Sequence, residues 1–178
     1  MNKFLFFLSE LNDQDLNWLV EAGKKRDIPS GTTLIYEGHH VDTLYIMLDG
    51  TLVVSIAEIG GRELARLYKG EVVGEMSFVD SRPPSATVKT MERSQVLAVS
   101  RRILAQKLEE DESFSSRFYR ALAIMLSHRL RGTVKQLGYR KDQEPQPQDN
   151  GTLQIASGIS AIASQRFEDL LEKLEVKT

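Results

Sequence analysis

The 178-residue sequence contains no cysteine, and this absence excludes several kinds of chemistry. Without thiols the chain forms no disulfide bond, thiolate zinc site or iron–sulfur cluster, and it has no cysteine nucleophile. Long apolar runs are also missing, because the run from Phe4 to Leu8 is too short for a signal-peptide core or a membrane span. We therefore expect a cytoplasmic protein without a membrane segment.

A large net charge is missing as well. The 23 basic and 25 acidic side chains give a formal charge of −2, whereas domains that bind nucleic acid through phosphate contacts are usually basic. Neither G-x-S-x-G nor G-x-x-x-x-G-K-S/T occurs. The adjacent His39 and His40 would face opposite sides of a strand and would not share a metal ion. We expect no enzymatic activity, no metal and no direct DNA binding.

Short β-branched and aromatic segments alternate with glycines from Ile28 to Ser100. This spacing predicts an antiparallel sandwich or barrel, since parallel strands need long crossover connections. Asp49-Gly50 and Gly60-Gly61 are typical of tight hairpin turns, where glycine adopts positive φ at little cost. The predicted strands are 32–36, 43–48, 51–57, 63–68, 86–91 and 95–99.

Helical periodicity flanks the strands on both sides. Asn12 or Asp13 can cap a first helix that ends near Gly23. A short helix over 101–109 precedes a long one with apolar residues three or four apart over Phe114–Leu137. At on the order of 35–40 Å this helix is longer than the barrel, so we expect it to form a homodimer with a second copy.

The rest of the chain divides into a linker and a second amphipathic helix. We assign 1–140 to one domain, 141–156 to a proline-containing linker and 157–178 to the C-terminal helix. The apolar face of this helix docks either on its own chain or on a protein partner. We expect no helix-turn-helix domain, because the segment after the long helix is too short for one with a recognition helix.

The stretch from Gly70 to Val88 combines a glycine, an acid and a helix start. Gly74 permits close backbone approach, and Glu75 opens a short helix whose free N–H groups can hold an anion. A carboxylate repels a phosphate, so Glu75 fits this site only if it accepts hydrogen bonds from sugar-type hydroxyls. A plain turn followed by a capped helical turn is the alternative interpretation.

This stretch resembles the phosphate-binding cassette of the cyclic nucleotide-binding domain family, found in catabolite-activator-type regulators and in regulatory subunits of cAMP-dependent kinase. Pro29-x-Gly31, Asp42-x-x-Tyr45-x-Met47 and Ser85-Ala86-Thr87-Val88 share the family's order and spacing. The resemblance covers about Asn12 to Gly138. It implies a mainly β fold with flanking helices, in which an antiparallel jelly-roll barrel precedes a dimerisation helix and a C-terminal helix. The implied ligand is cAMP or cGMP.

The resemblance also implies roles for individual residues. Backbone amides would bind the cyclic phosphate with support from the Ser85 hydroxyl, Glu75 would bind the ribose 2′-hydroxyl, and Thr133 on the long helix would read the base. The implied ligand-binding residues are Gly74, Glu75, Met76, Ser85, Ala86 and Thr133.

Pro84 stands where the family has its phosphate-neutralising arginine. Proline offers neither charge nor N–H, and the loss of two charge-assisted hydrogen bonds weakens cyclic nucleotide binding by roughly two to four decades. Glu75 without its cation favours a neutral, hydroxyl-rich ligand or an empty pocket. We predict a non-enzymatic, ligand-sensing regulatory module with weak or altered cyclic nucleotide binding. Two alternatives stay open: an adaptor with a vestigial pocket, and a cAMP- or cGMP-responsive regulator in which Arg82 compensates for Pro84.

A basic run follows on the long helix. We interpret it as the solvated face of the helix rather than as a nucleic-acid surface. Its members are Arg129, Arg131, Lys135, Arg140 and Lys141.

Overall fold

The computed structural model describes residues 6–57, 60–136 and 150–176, with a description of the backbone alone at 6, 135–136, 150–160 and 176. The strands are β1 (Lys24–Ile28), β2 (Thr33–Ile35), β3 (Thr43–Asp49), β4 (Leu52–Ile56), β5 (Arg62–Leu67), β6 (Val72–Val73), β7 (Thr87–Thr90) and β8 (Ser94–Ser100). The helices are α1 (Phe6–Ser9), α2 (Asp13–Ala22), α3 (Met76–Asp80), α4 (Arg101–Glu110), α5 (Glu112–Gln136) and α6 (Asn150–Val176).

Two four-stranded antiparallel sheets form the β part of the molecule. Their strand orders are β1-β8-β3-β6 and β2-β7-β4-β5. The sheets form the two layers of a jelly-roll barrel, and α5 follows the barrel. The predicted mainly β fold with flanking helices is confirmed.

The structure contains two strands that the sequence pattern did not predict, β1 and β6, and it corrects one turn. Gly60 and Gly61 lie between the paired strands β4 and β5 with φ of 73° and 72°, as a hairpin connection requires. The Asp49-Gly50 hairpin is wrong, because β3 and β4 belong to different sheets. Gly50 does adopt a φ of 94°, but a positive φ reverses the chain without determining which strands pair.

Apolar side chains on the two faces of β3 enter two separate cores. Leu44, Ile46 and Leu48 face the helices and join the larger core, whereas Met47 faces the barrel interior with residues of the second sheet. This alternation follows from the two-residue period of a strand. The sheet β1-β8-β3-β6 therefore carries the helical layer on its outer face.

An ion pair between Asp15 and Arg117 connects α2 to the long helix. Asn12 and Asp15 form a reciprocal capping box at the start of α2, with both hydrogen bonds at 2.9 Å. The carboxylate of Asp15, which is 3% exposed, also accepts hydrogen bonds of 2.6 and 2.8 Å from Arg117. The predicted cap at Asn12 is confirmed, and the same acid positions the first half of α5.

The C-terminal helix packs on its own chain. Phe167, Leu170 and Leu174 of α6 are buried in the same core as Phe7 and Phe118, so the docking left open by the sequence is intramolecular. The helix begins at Asn150, before the predicted start at 157. A single helical glycine such as Gly151 costs only about 1 kcal/mol and does not by itself end a helix.

Residues 137–149, which include most of the predicted linker and Leu137, lie outside the described residues. The division of the chain into domains stays a prediction. Among the described helices, none is both long and apolar enough to cross a membrane.

Candidate functional site

The cassette begins at a glycine that no other residue can replace without strain. Gly74 follows β6 with a φ of 88°. A Cβ atom at this position would lie 2.6 Å from the carbonyl oxygen of Thr43 and 3.4 Å from Cγ1 of Val41. Gly74 therefore lies against the backbone of β3, a neighbour that the sequence did not specify.

Glu75 is buried at the start of α3 and is bound by the long helix. Its residue exposure is 4%. Nη1 of Arg129 lies 2.5 Å from Oε1 of Glu75, and Nη2 donates to the carbonyl oxygen of Val72 at 2.5 Å. Arg129 is 54 residues away in the chain. One guanidinium on α5 thus holds both the carboxylate and the backbone of the cassette.

A second buried acid, Glu71, lies beside this ion pair. Its Oε1 is 4.0 Å from Nη2 of Arg129. Burial raises the pKa of both Glu71 and Glu75 above the ordinary value for a glutamate, although the Arg129 guanidinium acts in the opposite direction on each. Two buried carboxyl groups therefore share one nearby cation.

The segment that would complete the cassette carries no cation directed inwards. The Pro84 carbonyl accepts a hydrogen bond from the Gly38 amide at 2.8 Å. The side chain of Arg82 is 82% exposed, and its Nε lies 3.7 Å from Asp80. Ser85 is exposed and Ala86 is half-buried. Arg82 thus lies on the surface beside an acid.

Two other predicted site residues lie at the edge of this cluster. Met76 is 49% exposed on α3. Thr133 is exposed on α5 one turn beyond Arg129, and its hydroxyl donates to the Arg129 carbonyl at 3.1 Å. Within the described ranges, no three histidine, aspartate or glutamate side chains are placed to bind a metal ion.

Arg129 is the residue of this cluster that the sequence interpretation missed. Its assignment to a solvated face is wrong, because its side chain is only 28% exposed and binds a buried acid. Arg131 is exposed, as predicted, and the other members of the run fall outside the described side chains. A signal was available: Arg129 continues the spacing of the buried residues Phe118, Leu122 and Met125 on one helix face.

Comparisons with known proteins agree with the observed fold. Residues 25–111 match the family model "Cyclic nucleotide-binding domain". The cAMP-activated global transcriptional regulator CRP of Escherichia coli is 27% identical over 129 residues. That match covers 71% of this chain and 60% of the regulator, so the chain corresponds to less than two thirds of the relative's length.

Solved structures show the same fold at lower identity. A cyclic nucleotide-binding domain from Methylobacillus flagellatus has a TM-score of 0.68 at 21% identity, covering 79% of this chain and 84% of that one. The catabolite activator protein of Thermus thermophilus has a TM-score of 0.62 at 22% identity, covering 97% and 87%. The barrel, the cassette and these matches together identify residues 25–111 of this chain as a cyclic nucleotide-binding domain.

Proposed function

We propose that this protein is a non-enzymatic regulatory module in which ligand occupancy of the cassette is transmitted to α5. The supporting observation is the contact between Glu75 and Arg129, since it joins the implied ligand-binding acid to the long helix. A ligand hydroxyl that engages Glu75 changes the partners of Arg129. Occupancy then shifts the balance between positions of α5, which is what a two-state sensor requires.

The ligand that fits best is neutral and rich in hydroxyl groups. Glu71 and Glu75 outnumber the single guanidinium of Arg129, so an anion entering here meets repulsion as well as the missing arginine at Pro84. The exposed Arg82 beside Asp80 offers it no compensation. We infer that this site favours a sugar with adjacent hydroxyls, as in a nucleoside, over cAMP. The ratio of nucleoside affinity to cAMP affinity is therefore higher here than in a receptor that has the arginine. The Escherichia coli relative is named for activation by cAMP. We propose a different ligand preference for this chain because of Pro84.

Isothermal titration of the full chain with cAMP, cGMP and adenosine tests the proposal. We expect weak binding of both cyclic nucleotides, and Pro84→Arg should tighten cAMP binding by roughly two decades or more. Pro83→Arg adds the same charge one position away, and Pro84→Ala removes only the ring, so neither control should reproduce the gain. Tight binding of cAMP by the unmodified chain, lost in Arg82→Ala, would instead establish the regulator that relies on Arg82.

We further propose that the module is a homodimer through α5. The outer face of α5 carries five apolar residues from Tyr119 to Val134. They are separated by four, three, four and four positions, a spacing that resembles the seam of a coiled coil. Leu130 is 65% exposed and Val134 is 42% exposed on this face. The seam residues are Tyr119, Ala123, Leu126, Leu130 and Val134.

Direct DNA binding is not part of this proposal. The net charge is −2, and Arg129, the first member of the basic run, is engaged by Glu75. A gel shift with generic duplex DNA at low salt should show no complex. A salt-sensitive complex lost in Arg131→Gln would contradict this part of the proposal.

A further inference from the structure

Glu71 is a buried acid beside the proposed ligand site, and its charge there disfavours an anionic ligand. It precedes β6 and is 7% exposed. Its Oε2 accepts a hydrogen bond from the Tyr68 amide at 2.8 Å, which closes the turn before β6. Its Oε1 points towards Arg129 at 4.0 Å, an ion-pair distance that is too long for a hydrogen bond. One oxygen of Glu71 therefore supports the backbone, and the other faces the guanidinium.

The hydrogen bonds of Arg129 leave part of its donor capacity unused. A guanidinium has five N–H groups in a planar fork. Nη1 binds Glu75 and Nη2 binds the Val72 carbonyl, but Nε is buried without a hydrogen-bond partner. Shifting the fork by about 1 Å would bring Nη2 within the usual charge-assisted distance of Glu71. A second acceptor is thus within reach of a small movement of α5.

Losing Glu75 as a partner would be costly for Arg129 if no other carboxylate were near. A largely buried charge left unpaired is strongly destabilising, whereas a substituted ion pair keeps it compensated. Glu71 is the only other carboxylate within 4.0 Å of this guanidinium among the described residues. Its position makes the release of Glu75 to a ligand much easier.

We propose that Glu71 is a positioning residue that accepts Arg129 when a ligand hydroxyl engages Glu75, so that α5 remains attached to the cassette in a second position. The inference rests on the proposed function for its ligand-bound state. Glu71 does not touch the ligand; it controls affinity and the response of α5 by offering the alternative ion pair.

Glutamine at position 71 separates this role from a purely structural one. Its side-chain oxygen still accepts the Tyr68 N–H, so Glu71→Gln preserves the turn and removes only the charge. Glu75→Gln mimics a cassette whose acid no longer holds Arg129. Arg129→Met removes the cation while retaining an apolar stem, and Arg129→Gln, which also removes the cation, is the second variant if the methionine variant does not fold.

Double-mutant cycles between Glu71 and Arg129, measured by urea unfolding in the wild-type and Glu75→Gln backgrounds, test the proposal without any ligand. We expect the coupling, expressed as a factor in the unfolding equilibrium constant, to be about tenfold larger in the Glu75→Gln background. Glu63→Gln, a change at an exposed glutamate paired with Arg66, should show no coupling with Arg129 in either background. Equal coupling in the two backgrounds, or none with Glu75→Gln, would overturn the proposal.

Titration with adenosine adds the ligand-bound state. If the wild-type chain binds adenosine, Glu71→Gln should weaken binding by about tenfold while Glu63→Gln leaves it unchanged. Unchanged affinity in Glu71→Gln would overturn the proposal. If neither adenosine nor a cyclic nucleotide binds, the proposed function fails, and the cycles still decide whether Glu71 is the alternative partner of Arg129.

Discussion

The two halves of α5 are held in opposite ways. In the first half, Phe114, Phe118, Ala121, Leu122 and Met125 are all buried in the larger core. In the half that follows Leu126, every described side chain is exposed except that of Arg129. One half is fixed by apolar packing in the core that it shares with α1 and α4, and the other is attached to the barrel through one guanidinium.

This difference shows where the helix can move. Displacing the first half would open a core whose burial supplies much of the stability. Displacing the second half changes one ionic contact and its immediate surroundings. The position of the distal half therefore depends on the charges of the cassette, and the boundary near Leu126 is where we expect α5 to bend or pivot.

The largest expected effect is on the packed half. Phe118→Ala removes a ring that makes edge contacts with Phe7 and Phe78, at centroid distances of 5.6 and 6.4 Å. We expect it to lower the free energy of unfolding in urea by about 3–5 kcal/mol. Ser113→Ala, at an exposed position of the same half of α5 outside the proposed seam, should cost well under half as much. Similar losses in the two variants would mean that this half of α5 is not fixed by the core.

A smaller effect is expected on the ionic half. Arg129→Met leaves Glu75 buried without its cation, and we expect a loss of about 1–3 kcal/mol in the free energy of unfolding, limited because the carboxyl group can take up a proton. Arg131→Met, two residues further along and exposed, should be nearly neutral. If both variants unfold like the wild type, the contact between α5 and the cassette contributes nothing measurable.

The pH dependence of stability gives a third, smaller effect. Burial raises the pKa of Glu71 and Glu75, so each carboxyl group binds its proton more tightly in the folded state. The stability from this effect is fully present below the unfolded value of about 4.5 and is lost as the pH rises through the folded pKa. Lowering the pH from neutrality should therefore stabilise the wild type relative to Glu75→Gln. Parallel unfolding curves for the two proteins across this range would contradict the expectation.

The smallest effect on folding is expected at the exposed seam. Leu130→Glu places a charge where two copies of α5 would meet, and it should convert the dimer to a monomer in sedimentation velocity. The stability of the monomer should change by less than about 0.5 kcal/mol, because the side chain is 65% exposed. Ile103→Glu, at an exposed apolar position on α4, is the matched control and should leave the assembly state unchanged.

Most of the fold, but not all of it, could be predicted from local sequence patterns. Strand β3 was predictable because it is a short, nearly continuous apolar run that ends at Asp49-Gly50, as expected for a strand buried on both faces. Strand β1 (Lys24–Ile28) begins with four charged residues, is exposed over most of its length and is held at a sheet edge by backbone pairing with β8, so side-chain alternation could not reveal it. Strand β6 has only two residues, too few to show a period.

The same reasoning explains the site. Gly74 and Glu75 could be identified because their conformation and order are local properties of the chain. The contact between Glu75 and Arg129 spans 54 residues, and it depends on where α5 lies across the barrel. The residue type gave a misleading indication, since an arginine in a basic run is usually solvated, and only its place on the apolar face of the helix indicated otherwise.

The burial of α6 side chains in the same core as the first half of α5 has a consequence for how the protein is made. During translation the barrel strands and Phe118 are synthesised well before Phe167, which is buried in the same core as Phe118. Roughly 50 residues separate the two, an interval on the order of 3–10 s at ordinary translation rates. During that time the aromatic side chains around Phe118 are exposed in the nascent chain. Chaperone binding at this stage should therefore depend on how quickly α6 is synthesised.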